Sequence, residues 1–335
     1  MAFSLSPREN FLACLNHQPQ EFTPGMTDLA MAAFSLPFER GEGGAGIDAF
    51  GVRWVSPPSA AGGALPAPGE FLLTDVTKWR DVVKIPDVSG YDWAGAAALE
   101  MASIDRDMSV VHIGSANCIY ERLATLMGFE GALLAMALEP EATFELLSAL
   151  TDWKIEMIGY FAKYYQPDTY EFFDDVATER MLFMSPDTYR TLIKPLHTRI
   201  ATACKEHGII PIQHTCGKAD LLVQDMIDEG CAGWGAVQAT NNIAEVIEEH
   251  GDEFVLMGGY DSNGAPGMPT ASEAEVRAEV RRCMDSYAKF GKGYVFMGSI
   301  VLPGTAYDPM FSVDPLNSAI IDEFLKFRAE QEAAA

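Results

Sequence analysis

Short apolar runs alternate with longer amphipathic stretches over most of this chain of 335 residues. Short apolar runs bounded by polar residues are typical of buried strands, whereas apolar positions three and four apart indicate helices. The predicted strands include 110–114, 209–212 and 254–259. The predicted helices are 120–138, 140–165, 185–206, 219–229 and 272–290. Strands that alternate with helices predict parallel βα units.

The strand-like runs recur too often for a small open sheet, and no glycine-rich dinucleotide fingerprint follows the first of them. We therefore predict one α/β domain over residues 1–335, a (β/α)8 TIM barrel with an N-terminal helical extension. The extension begins at Ser6, an N-cap residue that Pro7 and Glu9 follow as in a capping box. A stretch rich in Gly, Ala and Pro at about 41–69 lacks periodicity and is predicted as a long loop, either a lid or a plain surface loop.

Composition narrows the classes of partner. Twenty-three Lys and Arg face forty-eight Asp and Glu, which gives a net charge of −25. Such a surface repels nucleic acid and anionic membranes, so neither is an expected partner. No window approaches the roughly 18 uninterrupted apolar residues of a membrane helix, and the start of the chain does not resemble a signal peptide. With six cysteines in so long a chain, we expect a cytoplasmic protein with reduced thiols.

The sharpest local feature is Gln213-His214-Thr215-Cys216-Gly217, directly after an apolar run. Side chains two apart on a strand point to the same face, so His214 and Cys216 aim together. In a parallel barrel the carboxyl end of a strand is the catalytic face. An imidazole and a thiolate there are donors that suit Zn²⁺. The alternative is a buried His beside a buried Cys, which the polar neighbours disfavour.

A second feature ends in two carboxylates, Thr169-Tyr170-Glu171-Phe172-Phe173-Asp174-Asp175. On a strand, Glu171 and Asp175 share one face with Phe173, and Asp174 lies on the other. Carboxylates at the end of an apolar strand are costly unless they are paired or used, as a general acid, a base or a metal ligand. The alternative is that one of the two aspartates caps a helix.

Further polar groups follow other predicted strands. We interpret Asp261 as a third catalytic candidate, beside Asp174 and Asp175. The predicted substrate-binding residues are Gln238, Asn117 and Tyr260. His112, within an apolar strand, is expected to line the interior of the barrel.

Taken together, these motifs resemble the uroporphyrinogen decarboxylase superfamily. The resemblance runs from about Ser6 to Phe327 and implies a (β/α)8 barrel. It rests on the opening Pro7-Arg8-Glu9-Asn10-Phe11, on Asp174-Asp175 ahead of 182–189 and Lys194-Pro195-Leu196-His197, on His214-Thr215-Cys216-Gly217, and on Gly258-Gly259-Tyr260-Asp261.

Two branches of this superfamily differ in their polar residues. Decarboxylases that act on the porphyrinogen carry an early cluster of arginines, and the corresponding stretch here, 26–32, has none. The His-x-Cys-Gly motif is instead similar to the corrinoid-linked methyltransferases, in which zinc activates a methyl donor or acceptor and a partner protein carries the corrinoid. The resemblance therefore implies Zn²⁺, a methylcorrinoid on a partner protein and a small-molecule methyl donor. A homodimer is a further expectation.

The sequence departs from the thiol-activating members of that branch in two places. Ser299 lies where they supply a further cysteine, and Gln238 lies where an acidic ligand is expected. The metal ligands are then His214 and Cys216, with Glu171 or Asp175 completing the set, or the metal is bound weakly or not at all. A carboxylate pair suits a leaving oxygen or nitrogen, so we predict demethylation of a small methoxylated or N-methyl substrate. The alternatives are a decarboxylase acting on a smaller substrate and a non-catalytic binding barrel.

Overall fold

The computed structural model describes residues 3–33, 36, 38–39, 45–57, 64–301 and 314–335. Seven strands in this part of the chain run parallel in one sheet, in the order β1-β5-β6-β7-β8-β9-β10 once all strands are numbered along the chain. The strands are β1 (Leu29–Ala32), β2 (Gly46–Ile47), β3 (Arg53–Val55), β4 (Leu65–Pro66), β5 (Val110–Ser115), β6 (Thr169–Phe173), β7 (Ile210–His214), β8 (Gly233–Val237), β9 (Val255–Gly259) and β10 (Tyr294–Met297).

The two edges of this sheet approach each other ahead of β1. Gly25 forms a parallel bridge with Phe296 of β10, and the amide of Phe296 donates to the carbonyl of Pro24 at 2.9 Å. A single turn of 3-10 helix then leads from Gly25 into β1, which pairs with β5. The curled parallel sheet with helices around it confirms the predicted α/β barrel fold. The sequence prediction did not include β1, whose four residues are too few to show a pattern.

The helices lie between the strands, as the βα alternation predicts. Those in the described residues are α1 (Pro7–Leu15), α2 (Trp79–Val82), α3 (Trp93–Met101), α4 (Ile119–Met127), α5 (Phe129–Leu138), α6 (Pro140–Tyr164), α7 (Pro186–Leu192), α8 (Lys194–Glu206), α9 (Val223–Glu229), α10 (Ile243–His250), α11 (Glu273–Ser286) and α12 (Pro315–Ala334). Two predicted helices are each broken in two. Gly128, at φ 76°, separates α4 from α5, and α7 ends before Pro195, which lacks the amide hydrogen that would continue it.

The predicted capping box at the start of α1 is present. The hydroxyl of Ser6 accepts from the amide of Glu9, and the carboxylate of Glu9 accepts from the amide of Ser6. Phe11 and Leu15 of this helix pack against interior residues of the barrel, including Val110 at the start of β5 and Ile212 of β7. Helix α1 therefore closes the amino ends of the strands, which leaves the carboxyl ends as the open face.

The stretch predicted as a long loop at about 41–69 contains a small antiparallel sheet, β2-β3-β4. Asp48 anchors it from a buried position, since it accepts from Arg122 of α4 at 2.6 Å and from the indole of Trp54 at 2.9 Å. Phe50 packs edge-on against Trp153 of α6. The described part of this stretch is therefore ordered on the barrel, and its strands are too short to show alternation. Residues 41–44 and 58–63 of the predicted loop lie outside the described residues.

None of the helices in the described ranges combines the length and the apolar character that a membrane span requires.

Candidate functional site

His214, Cys216 and Asp175 meet at the carboxyl ends of β6 and β7. One possible ligand atom from each lies within 4.8 Å of the other two. The Sγ of Cys216 is 3.7 Å from Nε2 of His214, and the amide of Cys216 donates to Oδ1 of Asp175 at 2.7 Å. All three side chains are half-buried. The structure thus brings together the predicted His–Cys pair and one of the predicted carboxylates.

Local geometry explains this meeting. Phe173 pairs with His214 in the sheet, so the residues that follow each strand run side by side. The turn after Cys216 requires glycine, because Gly217 has φ 86° and an added Cβ would lie 2.5 Å from the carbonyl oxygen of Thr178. The chain is therefore held close to the loop that carries Asp175.

Glu171 lies deeper in the barrel than the other carboxylate. Its Oε1 is 2.8 Å from Nδ1 of His214, and its Oε2 is 2.9 Å from Nε2 of His112. The side chain is only 3% exposed. Glu171 was predicted as a metal ligand, but the structure places it behind the imidazole, whereas Asp175 lies beside the thiol. His112 lines the interior as predicted.

The charges at this site are strongly coupled. Burial raises the pKa of Glu171, but hydrogen bonds from His112 and His214 outweigh burial and lower it to about 2. Burial lowers the pKa of His214, yet Cys216 and Glu171 raise it well above its ordinary value. Burial and the charge of Asp175 raise the pKa of the Cys216 thiol, and the opposing effect of His214, which lowers this pKa, is smaller. A thiolate here therefore needs an electropositive partner, which a divalent cation would supply.

The donor set fits Zn²⁺. It offers one imidazole nitrogen, one thiol sulfur and one carboxylate oxygen, and catalytic zinc takes about three protein ligands and keeps one open position. Gln238, at the end of β8, does not add a ligand. Its Oε1 accepts from the amide of Gly217 at 3.0 Å and from Asn263 at 3.3 Å, so it joins three loops at the mouth of the barrel.

Asp174 belongs to a second, fully buried cluster. Its carboxylate accepts from the amides of Tyr120 and Glu121 at 3.1 and 2.8 Å, which caps the start of α4. Its Oδ2 also lies 2.8 Å from Nε2 of His197, and Cys118 is the third member of the cluster. The catalytic role predicted for Asp174 therefore does not fit its position, and the alternative of a helix cap does. Adjacent residues on a strand point to opposite faces, so Asp174 faces the helices and Asp175 the mouth.

His197 lies between two acidic side chains. Its Nδ1 is 3.7 Å from Glu229 and 3.2 Å from the hydroxyl of Tyr189, on the opposite side from Asp174. Burial alone would lower the pKa of His197, but contacts with Asp174, Cys118 and Glu229 raise it well above the ordinary value. This cluster ties β6 to α4 and α8.

The remaining predicted residues have structural partners. The hydroxyl of Tyr260 donates to the carbonyl of Pro266 at 2.8 Å, and Oδ1 of Asp261 accepts from the amide of Gly264 at 2.8 Å. The side-chain amide of Asn117 donates to the backbone carbonyl of Glu39 at 2.9 Å. These contacts organise the loops after β9 and β5, and the substrate-binding roles of Tyr260 and Asn117 stay predictions.

Two structural residues near the mouth escaped the sequence analysis. Asn241 donates to the carbonyls of Gly217 and Gln238 and accepts from the amide of Ala219. Glu39 forms a buried ion pair with Lys154 and accepts from the hydroxyl of Ser115 at 2.6 Å. Neither has a clear local signal, because most of their partners are far apart in sequence.

The uroporphyrinogen decarboxylase (URO-D) family model matches residues 71–310. The chain belongs to the uroporphyrinogen decarboxylase family. The matched stretch includes Glu171, Asp175, His214 and Cys216, and the family predicted from the motifs is confirmed.

Solved structures add a likeness in fold. This family member is similar to a methyltransferase from Methanosarcina mazei, with 15% identity, a TM-score of 0.64, and coverage of 97% of this chain and 99% of that one. It is also matched to D-allulose 3-epimerase from Methylomonas sp., with 12% identity, a TM-score of 0.38, and coverage of 71% and 92%. No curated protein sequence matches the chain.

Proposed function

We propose that this protein is a corrinoid-protein-dependent methyltransferase that demethylates a small methoxylated or N-methyl compound. The observation that carries the proposal is the grouping of His214, Cys216 and Asp175 within 4.8 Å at the open end of the barrel. The fold similarity to a methyltransferase from Methanosarcina mazei supports it.

Nitrogen, sulfur and oxygen ligands together are suited to zinc. His214, Cys216 and Asp175 would hold the ion. When bound, Zn²⁺ would supply Lewis acidity to the heteroatom that carries the methyl group. The amide of Cys216 donates to Asp175, which fixes this carboxylate beside the thiol.

The walls next to the site are apolar. The ring of Phe173 stacks on His214 with centroids 4.0 Å apart. An added Cβ at Gly114 would lie 3.0 Å from Phe173 and 3.5 Å from Met31, so these side chains fill the interior side of the site. Such walls exclude water and suit an uncharged methyl group. As the methyl group passes to a reduced corrinoid, the heteroatom keeps the bonding electron pair and takes up one proton.

Charge argues against a porphyrinogen with many carboxylates as the substrate. The net charge of the chain is −25. Arg122 donates to the carbonyl of Glu39, after β1, and Arg282 donates to the carbonyl of Gly259, at the end of β9. Each is already paired with a carboxylate, Asp48 and Glu279 respectively. The mouth therefore favours a substrate without several negative charges.

Metal analysis and a methyl-transfer assay test the proposal. We expect about one zinc per purified chain, lost in His214→Ala and Cys216→Ser and retained in His207→Ala, an exposed histidine that serves as the control. The second assay supplies free cob(I)alamin as the acceptor, with a panel of methyl ethers and methylamines, and follows formation of methylcobalamin by absorbance. Absence of both zinc and methyl transfer would overturn the proposal. Release of carbon dioxide without a corrinoid would favour the decarboxylase alternative.

A further inference from the structure

Four polar side chains form a continuous row through the interior of the barrel, beneath the proposed metal site. The row starts at Thr169, whose hydroxyl is 2.8 Å from Nδ1 of His112. It continues from Nε2 of His112 to Glu171 at 2.9 Å, and from Glu171 to Nδ1 of His214 at 2.8 Å. The row runs from Thr169 on β6 to His112 on β5, returns to Glu171 on β6, and ends on β7 at the imidazole that faces Cys216.

The carboxylate at the centre of this row is costly to bury. A charged group removed from water destabilises the fold unless hydrogen bonds and opposite charge compensate. Gly235 of β8 leaves room for this carboxylate, since an added Cβ at Gly235 would lie 1.8 Å from Oε1 of Glu171. The sequence therefore combines a buried carboxylate, Glu171, with a glycine, Gly235, that leaves space for it.

The ring of His214 is held from two directions. Glu171 binds Nδ1 at 2.8 Å, and Phe173 covers one face of the ring at a centroid distance of 4.0 Å and an interplanar angle of 25°. Rotation of the ring would break the bond to the carboxylate. Nε2 is consequently the nitrogen presented to Cys216, at 3.7 Å from its sulfur.

We infer that Glu171 and His112 are positioning residues that fix the orientation of His214 and the nitrogen it presents to a metal. Glu171 acts directly on Nδ1, and His112 acts through Glu171 by holding its second oxygen. Partners behind a metal-binding histidine change metal affinity by about 10–100-fold. The inference rests on the proposed function in so far as His214 is a metal ligand.

Titration of the metal-stripped protein with Co²⁺ tests this inference, because the visible absorption of Co²⁺ reports the number and geometry of its ligands. Glu171→Gln and His112→Phe are expected to raise the Kd for Co²⁺ about 10–100-fold and to change the spectrum. His112→Gln keeps a donor that can reach Glu171, and we expect it to restore most of the affinity. His207→Phe, at an exposed position, is the matched control. Urea unfolding of each variant verifies that the fold persists.

A second readout works without metal. Nitrogen-15 chemical shifts of His214 report which ring nitrogen donates, and we expect them to change in Glu171→Gln and His112→Phe. Failure of the wild-type protein to bind Co²⁺ would overturn the proposed function, and the ¹⁵N shifts would still decide whether the two residues position His214. Unchanged Kd and unchanged ¹⁵N shifts in both variants would overturn the inference while leaving the proposed function intact.

Discussion

Gly235 of β8 offers a direct test of how tightly the buried carboxylate is fitted. A Cβ at this position would lie 1.8 Å from Oε1 and 2.6 Å from the carboxyl carbon of Glu171. A Cβ atom essentially never lies within 3.0 Å of another non-bonded heavy atom, so Glu171 must move by more than an ångström in Gly235→Ala. Its bond of 2.8 Å to His214 does not survive such a movement.

The expected loss of stability follows from two descriptions of the same displacement. Overpacking of a core costs about 1–3 kcal/mol. Loss of a hydrogen bond to a charged group costs about 1.5–3 kcal/mol. Because both arise from the movement of Glu171, they do not add fully, and we expect the free energy of unfolding to fall by about 2–4 kcal/mol. Metal affinity should fall by about 10–100-fold, because His214 loses the partner of Nδ1.

Urea unfolding and Co²⁺ titration measure the two effects. Gly159→Ala is the matched control, because the same methyl group added in α6 meets no atom within 4 Å. Alanine is the better helix former, so the control should be stabilised by up to about 1 kcal/mol. If Gly235→Ala unfolds within about 0.5 kcal/mol of the wild type and binds Co²⁺ equally well, the claimed clash is wrong.

Three further substitutions test the frame around the site. Asp174→Asn is expected to cost about 2–3 kcal/mol, because the cap of α4 and the partner of His197 lose their charge. The neighbours of His197 raise its pKa, so the protonated ring contributes its full stability below about pH 6.5. That stability is lost as the pH rises through the higher pKa of the folded state, and Asp174→Asn should flatten this decline. Gly217→Ala should cost about 2 kcal/mol or more, from φ 86° and the clash with Thr178. Asn241→Ala should cost about 1–3 kcal/mol, because the amide of Ala219 and the carbonyl of Gly217, both buried, lose the side chain that binds them.

Urea unfolding across a pH series measures all three, and each has its own contrary result. An unchanged alkaline decline in Asp174→Asn would remove His197 as its source. A neutral effect of Gly217→Ala would mean that the loop 176–178 can yield. Asn16→Ala, at an exposed helix end, is the control for Asn241→Ala, and equal losses in the two would contradict the claim that burial sets the cost.

The sequence predicted the barrel because the order of strands and helices follows from local patterns. The capping box at Ser6 and the strand that ends at His214 depend on neighbours in the chain, and both are present. The short strands β1 to β4 were missed, because two to four residues cannot show a period. Contacts such as Glu39–Lys154 were also missed, since they join residues 115 positions apart.

Which carboxylate lies beside Cys216, and so is the proposed third metal ligand, depends on the strand register, which periodicity does not contain. Periodicity put Glu171 and Asp175 on one face and Asp174 on the other, and the buried position of Asp174 agrees with that division. The choice between Glu171 and Asp175 requires the register between β6 and β7. Phe173 pairs with His214, so two steps further along both chains bring Asp175 level with Cys216, while Glu171 pairs with Ile212 one layer lower.

A register shifted by two residues would keep every side chain on its face yet move Asp175 away from Cys216. Depending on its direction, the shift would bring Glu171 level with His214 or with Ile210. Either shift would take Asp175 away from the amide of Cys216. Two glycines fit the actual register. Gly235, which pairs with His214, leaves space for the carboxylate of Glu171, and Gly217 lets the chain turn against the loop that follows Asp175. In this register Asp175 faces the thiol and Glu171 supports the imidazole, and the two glycines leave the space that this arrangement needs.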